Sequence, residues 1–184
     1  MSMLILKNYP WEINSLMGII YKHAIYKVLQ LLPLILLFFI SLKDDVILNL
    51  KLFDFLSLNL QYIIIYYWVL KNPSILGYGY IFLAGIITDV ILGLPMGLSP
   101  LSYLTVATLA TYTRIVTVKI NLMTDWMTFI PALLSANLIY FLVLYFYDSP
   151  VSYINILKGS FFTFCAYPLF WFPFELLRKL IKVV

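Results

Sequence analysis

Charged residues are scarce in this sequence, and the shortage excludes most classes of soluble protein. Only 11% of the 184 residues are charged, whereas 64% are hydrophobic; an ordinary soluble domain has about 25% charged residues. The mean hydropathy is +0.99. A compact soluble protein of this size cannot bury so much apolar surface. The composition therefore predicts a protein of the lipid bilayer and excludes a water-soluble enzyme, a disordered chain and a disulfide scaffold.

Cysteine and histidine are almost missing as well. Cys165 is the only cysteine and His23 is the only histidine. A single cysteine allows no intramolecular disulfide and no zinc site built on thiolates, and a single histidine allows no imidazole cage. The sequence also has no glycine-rich phosphate loop and no nucleophile–base pair at a suitable spacing. We therefore predict no metal, no cofactor and no enzymatic activity.

What the chain does have is six long apolar runs, which predict an all-α, polytopic membrane protein. At about 20 residues per span, the length allows five or six helices and little else. The predicted spans cover about residues 24–42, 55–70, 77–94, 98–116, 126–146 and 152–181, within a single membrane domain over 1–184. Several of these runs are short, which tilting or local thinning of the bilayer accommodates.

Two stretches outside the runs are less regular. Residues 10–23 place apolar side chains at helical spacing ahead of basic residues, which predicts an interfacial helix lying on the membrane surface. A plain polar lead-in explains the same stretch equally well. Residues 46–60 alternate leucine with other residues at a period of two, but an isolated strand cannot enter lipid. We expect a surface segment up to about Phe53, followed by helix.

The basic residues predict the orientation, and the positive-inside effect accounts for the net charge of +4 better than nucleic-acid binding does. With a cytoplasmic N-terminus, three bases lie outside: Lys43, Lys51 and Lys158. Nine lie inside: Lys7, Lys22, Lys27, Lys71, Arg114, Lys119, Arg178, Lys179 and Lys182. This asymmetry predicts six spans with both termini in the cytoplasm.

Aromatic residues make up 18% of the chain, and many lie near the ends of the apolar runs. Such positions are typical of the belts that tyrosine and tryptophan form at the two membrane–water interfaces. We expect these belts to account for most of the following residues, the alternative being a stacking site for an aromatic ligand: Tyr66, Tyr67, Trp68, Trp126, Tyr145, Tyr147, Trp171 and Phe172.

The most informative segment is the third run with the turn that follows it. Gly85, Asp89 and Gly93 share one helix face, and the two glycines allow another backbone to approach that face. An acid at the centre of a span costs about 2.5–3.5 kcal/mol, so Asp89 must be packed against protein. Pro95 and Gly97 then make a tight turn into the fourth run. Three roles for Asp89 remain open: a structural tie, either to backbone N–H groups of the hairpin or to a neighbouring helix; partner binding; and proton or ligand chemistry.

Other polar and small residues suggest further contacts. Asn59, Gln61, Ser102, Thr105 and Lys158 fall in the same outer half of the bilayer as Asp89, which predicts a shared polar cluster. We expect Lys158 to lie close to Asp89; the alternative is that Lys158 reaches the membrane surface alone. A second stripe of small residues, Ala132 and Ala136, joins the Gly85 face as a candidate surface for helix recognition.

At this point the sequence resembles the MreD family of bacterial rod shape-determining membrane proteins. The resemblance is good over about residues 60–110 and rests on layout elsewhere. Its elements are an aromatic–Trp pair at the end of the second span, a proline, a Gly-x3-Asp-x3-Gly helix, and a glycine opening the next span. Here they fall on Tyr67, Trp68, Pro73, Gly85, Asp89, Gly93 and Gly97. The tail YPLFWFPFELLRKLIK is also similar to the final span of the family.

The resemblance implies a non-enzymatic scaffold of the cell-elongation machinery in the bacterial inner membrane. Such a protein binds MreC and helps to couple MreB filaments to peptidoglycan synthesis by RodA and its transpeptidase partner. It also implies a fold similar to the substrate-binding subunits of energy-coupling-factor transporters. One departure is that the Arg-Pro pair found ahead of the second span is replaced by Leu52-Phe53-Asp54, so contacts made by that pair are not expected.

A rival interpretation comes from a different class of protein. Six short helices with polar residues in the outer half would also suit the small-molecule-binding subunit of a vitamin importer. That interpretation needs a polar pocket open to the outside and a small-residue face for docking the energising subunit. The two interpretations differ in their partners, which are MreC and the wall synthases in one case and an ATPase module in the other.

Overall fold

A computed structural model describes residues 27–42, 59–117, 121–147 and 153–183. This part of the chain is all-helical, as the composition predicts, with six helices and no strand. The interfacial helix predicted at 10–23 and the alternating segment at 46–58 lie outside the described residues.

Each helix falls on one of the six apolar runs. In chain order they are α1 (Lys27–Ser41), α2 (Leu60–Lys71), α3 (Tyr78–Leu92), α4 (Leu98–Val116), α5 (Leu122–Phe146) and α6 (Tyr153–Val183). Helix α4 packs against α2, α3 and α5, while α6 packs against α5 and α2. Among the described residues, two segments are long and apolar enough to cross a membrane, Leu122–Phe146 in α5 and Ile156–Ile181 in α6.

Helix α2 is the centre of the bundle. Its ten residues from Gln61 to Leu70 are all buried, whichever way they point. The sequence of α2 is apolar on every face, which is the pattern of a helix surrounded by others. The belt assignment of Tyr66, Tyr67 and Trp68 is therefore wrong, because these three side chains are at most 1% exposed. The expectation of interfacial aromatics at run ends failed here because α2 has no exposed side between Gln61 and Leu70.

The outside of the bundle carries many large apolar side chains. Large hydrophobic side chains on α1 and on α3 to α6 are exposed, including Phe39, Leu83, Leu138 and Leu169. Buried positions, by contrast, include the charged groups of Asp89, Asp125 and Glu175. A soluble monomer does not expose apolar surface on this scale.

One of the prolines inside the helices, Pro168 in α6, is accommodated by a contact from the neighbouring helix α5. Pro168 has no N–H, so the carbonyl of Phe164 lacks its usual helical donor. The indole N–H of Trp126 on α5 donates to this carbonyl at 3.0 Å, and the Trp126 ring stacks on the Phe164 ring at 4.9 Å between centroids. Trp126 thus stabilises the α5–α6 contact at the point where Pro168 interrupts α6.

Candidate functional site: the α3–α4 hairpin and the polar core

Asp89 organises the turn between α3 and α4. Its Oδ2 accepts the backbone N–H of Gly97 at 2.7 Å and its Oδ1 accepts that of Ser99 at 2.9 Å. Its backbone carbonyl accepts the N–H of Leu94 at 2.9 Å. The side chain is 1% exposed. This is the arrangement that the structural-tie interpretation of Asp89 predicts.

The carboxylate lies where a helix N-cap side chain would lie. Gly97 occupies the N-cap position of α4 and has no side chain to offer, so Asp89 supplies the missing acceptor from the neighbouring helix. The N-terminus of α4 carries a partial positive charge, which stabilises the carboxylate. The last turn of α3, to which Asp89 belongs, has the opposite effect, and the two direct hydrogen bonds outweigh it.

Positive backbone φ angles explain two glycines of the hairpin. Gly93 has φ of 61° and Gly97 has φ of 100°, a region that other residues adopt only with strain. Gly93 follows the end of α3 in the left-handed conformation that terminates helices. We predicted that Gly93 would admit a close backbone, and this is wrong: none of the described atoms lies within 4 Å of an added Cβ. Pro95 lies half-buried between the two glycines.

At Gly85, the backbones of α3 and α4 come into close contact. A Cβ added to Gly85 would lie 2.5 Å from the backbone nitrogen of Pro100 and 2.6 Å from its Cα. The predicted close approach at Gly85 is therefore present, and it is made by the helix that directly follows in the chain. Ala132 and Ala136 are likewise fully buried within α5. Both small-residue faces are used inside this chain, so neither is available as the partner-recognition surface that we expected.

The predicted partnership of Lys158 with Asp89 is not formed in the described part of the chain. Lys158 is exposed on α6, whereas both carboxylate oxygens of Asp89 are taken by backbone N–H groups. A lysine near the start of an apolar helix extends its long side chain outward, which is the alternative that the sequence left open.

Two of the other polar residues of the predicted outer cluster, Ser102 and Thr105, bond to backbone carbonyls of their own helix, and Asn59 contacts α6 through its backbone N–H. Ser102 donates to the carbonyl of Leu98 and Thr105 to that of Leu101, while the N–H of Asn59 donates to Thr163 Oγ1 at 3.0 Å. These bonds satisfy polar groups within a helix or join α2 to α6. Pro73, singled out by the resemblance, lies half-buried in the turn between α2 and α3.

A second polar constellation, which sequence reasoning missed, lies at the other end of the bundle. Lys71 Nζ on α2 lies 2.7 Å from Asp125 Oδ2 on α5, with side-chain exposures of 6% and 1%. The indole N–H of Trp171 on α6 donates to the same oxygen at 3.1 Å. Three helices that are distant in sequence therefore meet at one carboxylate. Breaking a buried pair of this kind leaves an uncompensated charge.

A neighbouring network extends this polar core toward the end of α6. The hydroxyl of Tyr67 donates to Glu175 Oε2 at 2.8 Å, and Arg178 pairs with both oxygens of Glu175. Tyr67 lies on α2, so its hydroxyl ties the central helix to the C-terminal part of α6. The aromatic ring of Phe174 packs on that of Tyr67 at 5.4 Å between centroids.

Part of this polar core could have been predicted from the sequence. Glu175 and Arg178 are spaced for an ion pair on one helix face. Lys71 and Asp125, however, are separated by 54 positions, and no local pattern connects them. We treated Lys71 only as a cytoplasmic base and Trp171 as a belt residue, because both stand at run ends.

Comparison with known proteins places this chain in no family. No protein-family model matches the sequence, and neither a curated protein nor a solved structure matches it.

Proposed function

We propose that this protein is a non-enzymatic, multi-pass scaffold of the bacterial inner membrane, of the MreD type, that binds MreC. The observation that carries the proposal is the α3–α4 hairpin. Four of the seven residues that give the sequence its resemblance to the MreD family belong to this element, and three of them build it: Gly85 admits Pro100, Asp89 caps α4, and Gly97 supplies the left-handed N-cap. The carboxylate works as a structural tie, as a scaffold requires.

The placement of polar groups favours six spans with both termini in the cytoplasm. Lys71, Asp125 and Trp171 meet at one end of the bundle, which the positive-inside count makes the cytoplasmic end. The Asp89 hairpin of α3 and α4 and the bond between Asn59 and Thr163 belong to the opposite end of the bundle. Apolar side chains cover the outside. An apolar exterior around a paired polar interior is the arrangement that lipid demands.

Partner recognition then belongs to the lipid-facing surface. Helix association in lipid depends on packing and interhelical hydrogen bonds, and the small-residue faces of Gly85 and Ala132 are already occupied within the chain. In this proposal MreC, and with it MreB, RodA and the transpeptidase, act through the exposed faces of the outer helices or through the cytoplasmic loops.

Affinity purification separates the scaffold from the importer subunit. The tagged chain is extracted from its own membranes in mild detergent, and the copurifying proteins are identified by mass spectrometry. We expect MreC from the same genome to copurify, with enrichment over an unrelated tagged protein of similar size and hydropathy. Recovery of an ATPase module instead of MreC contradicts the proposal and favours the importer interpretation.

The orientation is tested by reporter fusions after Val184. A reporter active only outside the cytoplasmic membrane should be silent at this position, while one active only in the cytoplasm should give signal. The matched control is a fusion within the turn at Met96, which is 80% exposed and which the proposal places outside. Strong external activity after Val184 would overturn the six-span topology.

Substitutions at Asp89 test whether the carboxylate acts as a cap or as a charge. Asp89→Asn keeps one acceptor oxygen for the two N–H groups of Gly97 and Ser99, and Asp89→Leu keeps none. A hydrogen bond to a charged group contributes about 1.5–3 kcal/mol, so thermal stability in detergent should fall in the order Asp, Asn, Leu, and MreC copurification should follow that order.

The outcome that contradicts the cap is a different ordering. If Asp89→Asn abolishes MreC binding as completely as Asp89→Leu does, while both variants are as abundant and as thermally stable as the wild type, the charge itself is used. That result would revive the proton or ligand chemistry that the sequence left open.

A further inference from the structure

The prolines inside the two long helices remove hydrogen-bond donors from three backbone carbonyls. A proline has no N–H, so the carbonyl four positions before it loses its helical donor. Pro131 in α5 and Pro168 and Pro173 in α6 affect the carbonyls of Met127, Phe164 and Leu169. The Phe164 carbonyl receives a replacement donor, the indole N–H of Trp126. Among the described residues, no side-chain hydrogen bond ends on the other two carbonyls.

These two carbonyls belong to the outer surface of the bundle. Met127 is 53% exposed and Leu169 is 73% exposed, and the prolines that follow them are exposed as well. Pro168, in contrast, is half-buried where α6 meets α5. The exposed side chains near the two carbonyls have no hydrogen-bond donor; they include Ile130, Leu134, Phe172 and Leu176. The chain itself therefore offers these acceptors no substitute for the missing N–H groups.

Both carbonyls lie at about the same level of the bundle. Helices α5 and α6 are antiparallel, since Trp171 donates to Asp125 and Tyr167 stacks on Phe129 one turn away on each helix. Positions 127 and 169 fall between these two contacts. The apolar segment of α6 continues for twelve positions beyond 169, about 18 Å of helix. In the proposed topology this level lies within the hydrocarbon core, where lipid tails provide no donor.

The chemistry of the two acceptors defines what can cover this face. A carbonyl oxygen carries partial negative charge, and its complement is an N–H or O–H group. A second copy of the chain that met this face symmetrically would bring the same acceptors opposite each other. A transmembrane helix of another protein fits better if it carries an indole, amide or hydroxyl group at this level. Trp126 already plays this part for the Phe164 carbonyl within the chain.

We propose that the exposed face of α5 and α6 at the level of Met127 and Leu169 binds the transmembrane helix of a partner protein, whose donor side chains bond to these two carbonyls. The inference rests on the proposed function, because MreC is the partner in which this helix is sought. It gives a location to the lipid-facing recognition surface of that proposal. The prolines then serve binding, since they keep two acceptors free for the partner.

Replacing the prolines tests this role directly. Pro131→Ala with Pro173→Ala restores two N–H groups, so both carbonyls regain their helical donors. The double variant should be at least as thermally stable in detergent as the wild type. Its recovery of MreC in affinity purification should nevertheless fall about 3- to 10-fold, the size expected for lost interhelical hydrogen bonds. Unchanged recovery of MreC by the double variant overturns the inference.

Pro168→Ala is the matched control, because the carbonyl that it affects is already bonded to Trp126. It should leave the recovery of MreC unchanged. If Pro168→Ala lowers recovery as much as the double variant does, the shape of the helices and not the free carbonyls controls binding, and the inference fails.

Photocrosslinking in intact membranes locates the partner independently of these variants. The photoreactive residue p-benzoylphenylalanine is placed at Leu134, at Phe172 or, as a control on α3, at Leu83, which is 50% exposed. We expect crosslinks to the transmembrane segment of MreC from the first two positions and not from the third. Crosslinks to MreC from Leu83 alone, or to a second copy of this chain from Leu134 and Phe172, overturn the inference while the scaffold proposal stands. Failure of the wild type to recover any MreC refutes the proposed function itself and this inference with it.

Discussion

Gly85→Ala should destabilise the protein, although alanine is the better helix former. The new methyl group would lie 2.5 Å from the backbone nitrogen of Pro100, too close for two atoms that are not bonded. Pro100 cannot easily retreat, because the N–H of the preceding residue, Ser99, is held by Asp89. Forcing extra volume into a packed contact costs about 1–3 kcal/mol. We expect a lower melting temperature and a larger aggregated fraction in size-exclusion chromatography.

Gly79→Ala is the matched control on the same helix. Apart from its chain neighbours and the backbone of its own helix, no described atom lies within 4 Å of a Cβ added at Gly79, so alanine meets no obstacle there. The gain in helix propensity, up to about 1 kcal/mol, should leave the melting temperature unchanged or raise it. Equal behaviour of the two variants would contradict the close approach of α3 and α4 at Gly85.

Lys71→Met should be among the most damaging single substitutions in the chain. It leaves the Asp125 carboxylate charged and buried without its counter-charge, and removing one partner of a buried pair costs about 3–5 kcal/mol. Asp125→Asn should be similarly severe, because it leaves the ammonium group uncompensated. Thermal unfolding and the yield of monodisperse protein measure both effects.

The double variant distinguishes a true pair from two separate losses. Lys71→Met with Asp125→Asn removes both charges and keeps an oxygen for the indole N–H of Trp171. It should be clearly more stable than the sum of the single effects predicts. Lys158→Met, at an exposed position, is the control for loss of a lysine and should change stability little. Strict additivity in the double variant would mean that the two charges do not act as a pair.

The sequence predicted the helices well because the length and apolar character of each run are local properties that do not depend on contacts with distant residues. The hairpin of Gly85, Asp89 and Gly97 was also predictable, because the residues that interact in it are close together in the chain. In addition, a glycine or an acid inside an apolar run is seldom tolerated without a packing or hydrogen-bonding role. The contacts inside the bundle could not be predicted from the sequence. Lys71 looks the same whether it faces cytoplasm or a carboxylate that follows 54 positions later, and the partner of the Phe164 carbonyl, Trp126, depends on how α5 and α6 align.

The sequence of α2 does contain a signal of burial, but the position of its aromatic residues near the end of a run pointed to the membrane interface instead. Its sequence has no polar face, which is typical of a helix surrounded by others. Its aromatic residues suggested the interface only because they stand near the end of a run. Knowing that Tyr67 and Trp68 are buried requires knowing that α4, α5 and α6 all pack around α2, and that arrangement is set by contacts across the whole chain.

The burial of α2 has a consequence for how the protein is made. The helix has 12 residues, about 18 Å of length, which is shorter than the hydrocarbon core of a bilayer at about 30 Å. It ends in Lys71, whose counter-charge is on α5. The helices that cover it, α4 to α6, leave the ribosome after it does. In the proposed six-span topology, the nascent α2 is too short to cross the bilayer and carries an unpaired charge until these helices are made, so we expect its insertion to await synthesis of the C-terminal half.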